Sequence, residues 1–334
     1  MTAVNPPLIQ LSPAGLYCPA GDFHIDPWRP VPRAVITHAH SDHARSGSAL
    51  YFAHADSLAL LRWRLGADSN LQGLAYGERF ELGAATVSLH PAGHVLGSAQ
   101  VRIEVDGVVW VVSGDYKRDP DPTCAGFEVI ACDVFITEAT FALPVYRWAP
   151  TATVAAEILG WWDACAARGE TAVLGCYALG KAQRVLAELG RLSDRQVLLH
   201  GAMAPAVEIY RAAGIALPPT ATVSEQAKGR ELAGELVLAP PSALGTPWMG
   251  RFKNVSTGFA SGWMRLRGNR RRRGFDRGFV VSDHADWPGL IDTIVATGAR
   301  KVLATHGSTE VLVRFLRERG IDAAALKTEL GGEN

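Results

Sequence analysis

His38-Ala39-His40-Ser41-Asp42-His43 gathers three imidazoles and one carboxylate into one short stretch. Nitrogen and oxygen donors at this density suit a borderline divalent cation such as Zn²⁺, held by four such ligands at about 2.0–2.2 Å. Histidines that merely pack do not crowd in this way, because polar side chains are disfavoured in a core. Further candidates each follow an apolar run. His94 lies in Pro91-Ala92-Gly93-His94-Val95-Leu96-Gly97-Ser98, Asp115 follows Val108-Val109-Trp110-Val111-Val112, and Glu138 closes Asp133-Val134-Phe135-Ile136-Thr137. Near the end, His284 and His306 repeat the habit. Asp115 is either a turn former or the carboxylate that bridges two metals. Asp26, just before Pro27, either starts a turn or orients a ligand histidine.

These residues need strands that deliver them to one place. Ala34-Val35-Ile36-Thr37 reads as a short buried strand, so the histidine loop leaves its carboxyl end, with a turn aiming His38 and His40 one way and Asp42 and His43 another. Residues 55–65 read as a helix, and 78–112 contain several strands, alternating over 100–105 and continuously apolar over 108–112. Several strands with polar carboxyl ends imply one shared rim, where an open sheet holds its site. From about 149 the pattern becomes an α/β alternation: helix 151–168, strand 171–176, helix 181–191, strand 197–200 and helix 203–213. Residues 214–250 carry much Pro, Ala and Gly and receive no elements. Strands over 278–284 and 301–307, with helices 286–297 and 307–319, return to the first pattern. The expectation is a discontinuous domain, 1–146 with 280–334, interrupted by an insertion over 147–279.

The chain has 334 residues, which calls for one large domain or two. Hydrophobic residues make up 48% and charged residues 20%, ordinary for a globular protein. Thirty-three basic residues balance thirty-three acidic ones, so a polyanionic partner must be sought in local clusters. The arginine run from Arg265 to Arg277, with Arg271 and Arg272 inside it, is either a solvated loop or a contact for a nucleic-acid backbone. Lys181, at a helix start, either meets a phosphate or is solvated. No basic segment with an apolar core opens the chain and no long apolar run occurs, so a cytoplasmic protein without a membrane partner is expected. The five cysteines form no C-x-x-C pair and are expected as buried thiols. His24, His54 and His90 are expected at the surface or satisfied in the core, and His200 carries no assigned role.

THAHSDH, AGHVLGSA and SGDYKR, in that order, resemble the H-x-H-x-D-H, histidine and aspartate motifs of the metallo-β-lactamase fold. TEATF, SDHAD, ATHG and the segment YALGKAQ are similar to the additional motifs of its β-CASP nucleic-acid-processing branch. The opening GLYCPAGDFHIDP looks most like the bacterial ligase-associated DNA exonucleases. The resemblance implies an αββα sandwich with an inserted β-CASP α/β lobe and substrate in a cleft between them. It implies two Zn²⁺, with Mn²⁺ as a substitute: His38, His40 and His94 on one, Asp42, His43 and His306 on the other, and Asp115 bridging. Asp42, Glu138 and His284 become the catalytic set, with His284 facing the scissile phosphate, Glu138 orienting it and Asp26 supporting the metal loop.

The chemistry agrees with that placement. Phosphodiester hydrolysis needs an activated water, neutralised phosphate oxygens and help for the leaving alkoxide; two metals about 3.5–4 Å apart serve the first two, and a histidine serves the third. The function that the resemblance implies is a DNA exonuclease of repair, acting on single-stranded or end-bearing DNA and associated with a DNA ligase. An RNA-processing enzyme is the alternative, because both substrates share the phosphate. A small-molecule metallohydrolase would share the first histidine cluster but has no use for His284 or the long insertion. A binding protein with a degenerate site is disfavoured because every expected ligand is present.

Overall fold

A computed structural model describes residues 7–227, 231–266 and 274–329. The chain divides into two compact units, one of residues 1–120, 124–144 and 284–334, the other of residues 121–123 and 145–283.

The first unit opens with β1 (Gln10–Ser12), β2 (Gly15–Cys18), β3 (Phe23–Ile25), β4 (Arg33–Val35) and β5 (Leu50–His54), then α1 (Leu58–Leu65) and β6 (Leu71–Leu74). These strands form one sheet in sequence order, antiparallel from β1 to β3 and parallel from β3 to β6. There follow β7 (Arg79–Leu82), β8 (Ala85–Pro91), β9 (Ala99–Val105), β10 (Val108–Val112) and β11 (Val134–Ala139).

In the second unit come α2 (Thr151–Ala167), β12 (Thr171–Gly175), α3 (Lys181–Gly190), β13 (Val197–Leu199), α4 (Ala204–Ala212), β14 (Thr220–Thr222), β15 (Leu236–Ala239), β16 (Val255–Ala260) and β17 (Arg277–Phe279). Their six strands make an all-parallel sheet in the order β14-β13-β15-β12-β16-β17. Leu174, Leu199, Leu236 and Leu238 of this sheet pack with Trp162, Val185, Leu186 and Val207 of its helices. Strands β14 and β15 fall in the 214–250 stretch that periodicity left without elements; at three and four residues they are too short to show a period.

Returning to the first unit, α5 (Trp287–Thr297), β18 (Lys301–Gly307), α6 (Thr309–Arg317) and β19 (Asp322–Ala325) complete its second sheet, ordered β19-β18-β11-β10-β9-β8-β7. The continuous apolar run of β10 is explained by cover on both faces. Trp110 and Val112 meet Leu16, Ile25, Val35 and Phe52 of the other sheet. Val111, with Phe135, Val302 and Ala304, packs beneath Leu290 and Ile294 of α5 and Leu312 and Leu316 of α6. Strand β9 has one such face: Val101 and Ile103 point to the inter-sheet core, while Arg102 binds Glu104 at 2.8 Å on the other side.

Two expectations change. The strand over 278–284 is only Arg277–Phe279 and belongs to the second unit's sheet, paired with β16. Residues 280–283, assigned from sequence to the first domain, lie in the second unit, and His284 begins the return. The apolar run Phe279-Val280-Val281 before His284 resembled a strand, but Ser282, Asp283 and His284 are all buried without pairing in a sheet.

Candidate metal centre

Strands β8, β10, β11 and β18 run in one direction in the second sheet. Their carboxyl ends bring His94, Asp115, Glu138 and His306 to the loop that leaves β4. The rim expected from sequence is thus shared by two sheets. Gly114 makes the approach possible: its φ is +56°, and a Cβ there would stand 2.7 Å from Thr37 Cβ. On β18, Thr305 and His306 sit opposite the single residue Glu138, because the pairing slips between Thr137↔Ala304 and Ala139↔Gly307. A bulge of this kind re-aims a side chain.

His40 Nδ1 stands 3.1 Å from His38 Nε2 and 3.1 Å from His94 Nε2. Asp115 Oδ2 is 3.5 Å from His38 Nε2 and 3.8 Å from His94 Nε2. A tetrahedron of donors about 2.1 Å from its centre has edges of about 3.4 Å, so these four atoms have the spacing of a zinc-type site. Neutral rings satisfy one another only in part here, because one proton on His40 Nδ1 serves one Nε2 atom at a time. Thr37 Oγ1 donates to Asp26 Oδ2 at 2.6 Å and so accepts from His38 Nδ1 at 3.0 Å, leaving a lone pair on His38 Nε2. Converging nitrogen lone pairs repel unless a cation lies among them.

The second expected set is gathered less tightly. His43 Nε2 is 3.4 Å from Asp115 Oδ2 and 3.7 Å from Asp42 Oδ2, and His306 Nε2 is 3.1 Å from Asp115 Oδ1. His43 Nε2 is buried without a hydrogen bond, a cost that a bound cation would relieve. Burial opposes a charge on His43, yet the carboxylates of Asp115 and Asp26 outweigh it and hold its pKa well above the usual histidine value. Burial, reinforced by the neighbouring His43, drives His38 the other way. Burial of Asp115 is overcome by His43, His284 and His306, which keep its carboxyl well below the ordinary range.

Asp26 lies where a supporting carboxylate would. It is 2% exposed, holds a left-handed φ of 43°, accepts from Thr37 N at 2.8 Å and contacts His43 Nδ1 at 2.8 Å. Alongside, Asp115, Glu138 and His284 form a second tight group of donor atoms. Glu138 accepts from Tyr116 N through Oε1 and faces His284 Nδ1 through Oε2, both at 2.8 Å.

Sequence reasoning missed Thr37 and Thr305. Thr305 Oγ1 lies 3.0 Å from His306 Nδ1, as Thr37 Oγ1 does from His38 Nδ1. The repeated Thr-His dipeptide was the available signal. Lys181 is neither solvated nor at a surface. It is wholly buried in the second unit, with Nζ 3.5 Å from Asp283 Oδ2 and 4.4 Å from the Tyr177 ring centre. Arg271 and Arg272 lie outside the described residues.

The other histidines have local partners. His24 meets Ser12 Oγ at 3.1 Å, His90 meets Glu128 at 3.1 Å, His54 accepts from Asp56 N, and His200 accepts from Ala202 N. Of the five thiols, Cys18, Cys165 and Cys176 are buried, but Cys124 and Cys132 only partly. Burial pushes the Cys176 thiol up to about 12.

No family model matches the chain. A protein of Opitutus terrae named "Probable DNA ligase" is 32% identical over 319 residues, 93% of this chain and 30% of that protein. An "RNase J-like protein" of Methanocaldococcus jannaschii is 24% identical, covering 54% of this chain and 50% of its own length. "Cleavage and polyadenylation specificity factor subunit 3" of Dictyostelium discoideum is 28% identical over 148 residues, 44% of this chain and 18% of that protein. The chain thus spans half or less of each of these relatives. Together they support the metallo-β-lactamase/β-CASP family and its type of fold. A solved protein of unknown function from Enterococcus faecalis V583 has a similar fold, with a TM-score of 0.59 at 11% identity over 90% of this chain and 80% of that one. No described helix is long and apolar enough to cross a membrane.

Proposed function

We propose that the chain is a metal-dependent nuclease that hydrolyses DNA phosphodiester bonds, as an exonuclease of DNA repair in the cytoplasm. The observation that carries this reading is the meeting of two donor groups at Asp115: His38, His40 and His94 on one side, Glu138 and His284 on the other. In this reading His38, His40, His94 and Asp115 hold one cation, and Asp42, His43, His306 and Asp115 a second. Bound there, Zn²⁺ or Mn²⁺ would supply Lewis acidity for the phosphate and for an attacking water.

The chain's own residues do the rest. Glu138 holds His284 through Nδ1, so that the imidazolium would give its Nε2 proton to the leaving oxygen. Asp26, through Thr37 and His43, keeps the Nε2 atoms of His38 and His43 aimed at the centre. Support for DNA comes from the Opitutus relative, whose name also motivates a functional association with a ligase. Within the branch, the ligase-associated exonucleases are the subfamily this reading favours. RNA is the second reading, supported by the names of the other two relatives.

End-labelled single-stranded DNA, RNA and a chromogenic ester, each with and without chelator, test the proposal. Chelator-sensitive cleavage of DNA is expected, and His284→Ala should lower turnover by roughly 10²–10⁴-fold with metal content retained. Cleavage of the ester alone would overturn it.

A further inference from the structure

Trp63 is the one aromatic among the exposed large hydrophobic side chains of the described residues, at 39% exposure. It stands between Arg62 and Arg64 on the last turn of α1, and both arginines are exposed. Cations at a helix carboxyl end complement the backbone dipole, which accounts for the charges but not for an indole left in water. The position of this turn is informative. Arg64 Nε donates to Ala39 O at 3.2 Å, and Ala39 lies between His38 and His40 in the ligand loop. The Arg64 guanidinium is also 5.4 Å from the Trp63 ring centre; burial lowers its pKa, and the Asp42 carboxylate offsets part of that. The helix end is therefore fastened directly to the loop that carries the metal-ligand candidates.

We propose that Arg62, Trp63 and Arg64 form a platform for single-stranded DNA beside the ligand loop, the indole stacking on an unpaired base and the guanidinium groups meeting backbone phosphates. The inference rests on the nuclease reading and adds the feature of substrate that the site grips. Every base has a π-face, so stacking on one indole is tolerant of sequence, as a general nuclease requires. A base inside a duplex keeps its faces against its neighbours, so the platform selects unpaired strands. Planar guanidinium groups on both sides suit phosphate oxygens.

The test compares a fluorescent single-stranded oligonucleotide with an abasic strand of equal length, titrated with the protein in chelator and read by anisotropy. The parent should bind the base-bearing strand about tenfold more tightly. Trp63→Ala should bring that strand down to the abasic value, and Trp63→Leu should do the same while retaining apolar bulk. Trp63→Phe, which keeps a ring, should preserve most of the preference. A parent without preference, or variants that keep it, would overturn the platform. Cleavage is read separately with metal restored: preference for bases without cleavage of either strand would count against the nuclease reading and leave the platform standing.

Discussion

Each of three ligand-candidate histidines has its Nδ1 committed to an oxygen: His38 to Thr37, His43 to Asp26 and His306 to Thr305. The consequence is a set of Nε2 atoms turned toward Asp115, at 3.5, 3.4 and 3.1 Å from its oxygens. Asp26 supports two of them, directly and through Thr37. Asp26→Asn should weaken metal affinity by about 10–100-fold, measured by competition with a chelator; parent-like affinity would show that the carboxylate serves only its turn. At this scale the sequence was most legible, because donor type is written in the residue itself. The threonines were less visible, since a hydroxyl next to a histidine is common and its direction depends on the fold. Lys181 misled for the reason that a helix start suggests exposure, whereas nearly all of α3 is buried.

Among elements, β18 has the narrowest tolerance. Gly307 follows His306 with φ +87°, and a Cβ there would stand 2.2 Å from Ala139 O on β11. Gly307→Ala should destabilise the protein by about 1–3 kcal/mol and displace His306. Thermal unfolding reads the first effect and metal stoichiometry the second; an unchanged melting temperature would contradict the close approach. Long helices were readable because burial on a fixed face leaves a period, and β10 and β11 because cover on both faces leaves a mostly unbroken apolar run. Short parallel strands such as β14 and β17 leave none. The bulge opposite Glu138 has no sequence mark apart from the glycine.

On the scale of the molecule, the second unit buries a charged group formed by residues distant in the chain. Arg184 is 1% exposed, pairs with Asp121 at 2.5 Å and Asp283 at 3.3 Å, and donates to Ser282 O at 3.4 Å. Removing one partner of such a group strands the other charges. Arg184→Met should cost about 3–5 kcal/mol, read as faster hydrogen exchange in α3 and β12, and Asp121→Asn added to it should recover part of the loss. No recovery would mean that the arginine acts by packing alone. The change in periodicity near residue 149 was legible in the sequence. The assignment of 121–123 to the second unit was not, because it depends on this pairing rather than on any local pattern.

Asp115 and His306 are 191 positions apart, yet their side chains meet at 3.1 Å. A ribosome adding about 5–20 residues per second takes roughly 10–40 s to travel from one to the other. For that interval the nascent polypeptide already displays its first histidines while lacking the last. A product released early would carry the same deficit, so translation itself withholds the full set of donors until the message has been read through His306.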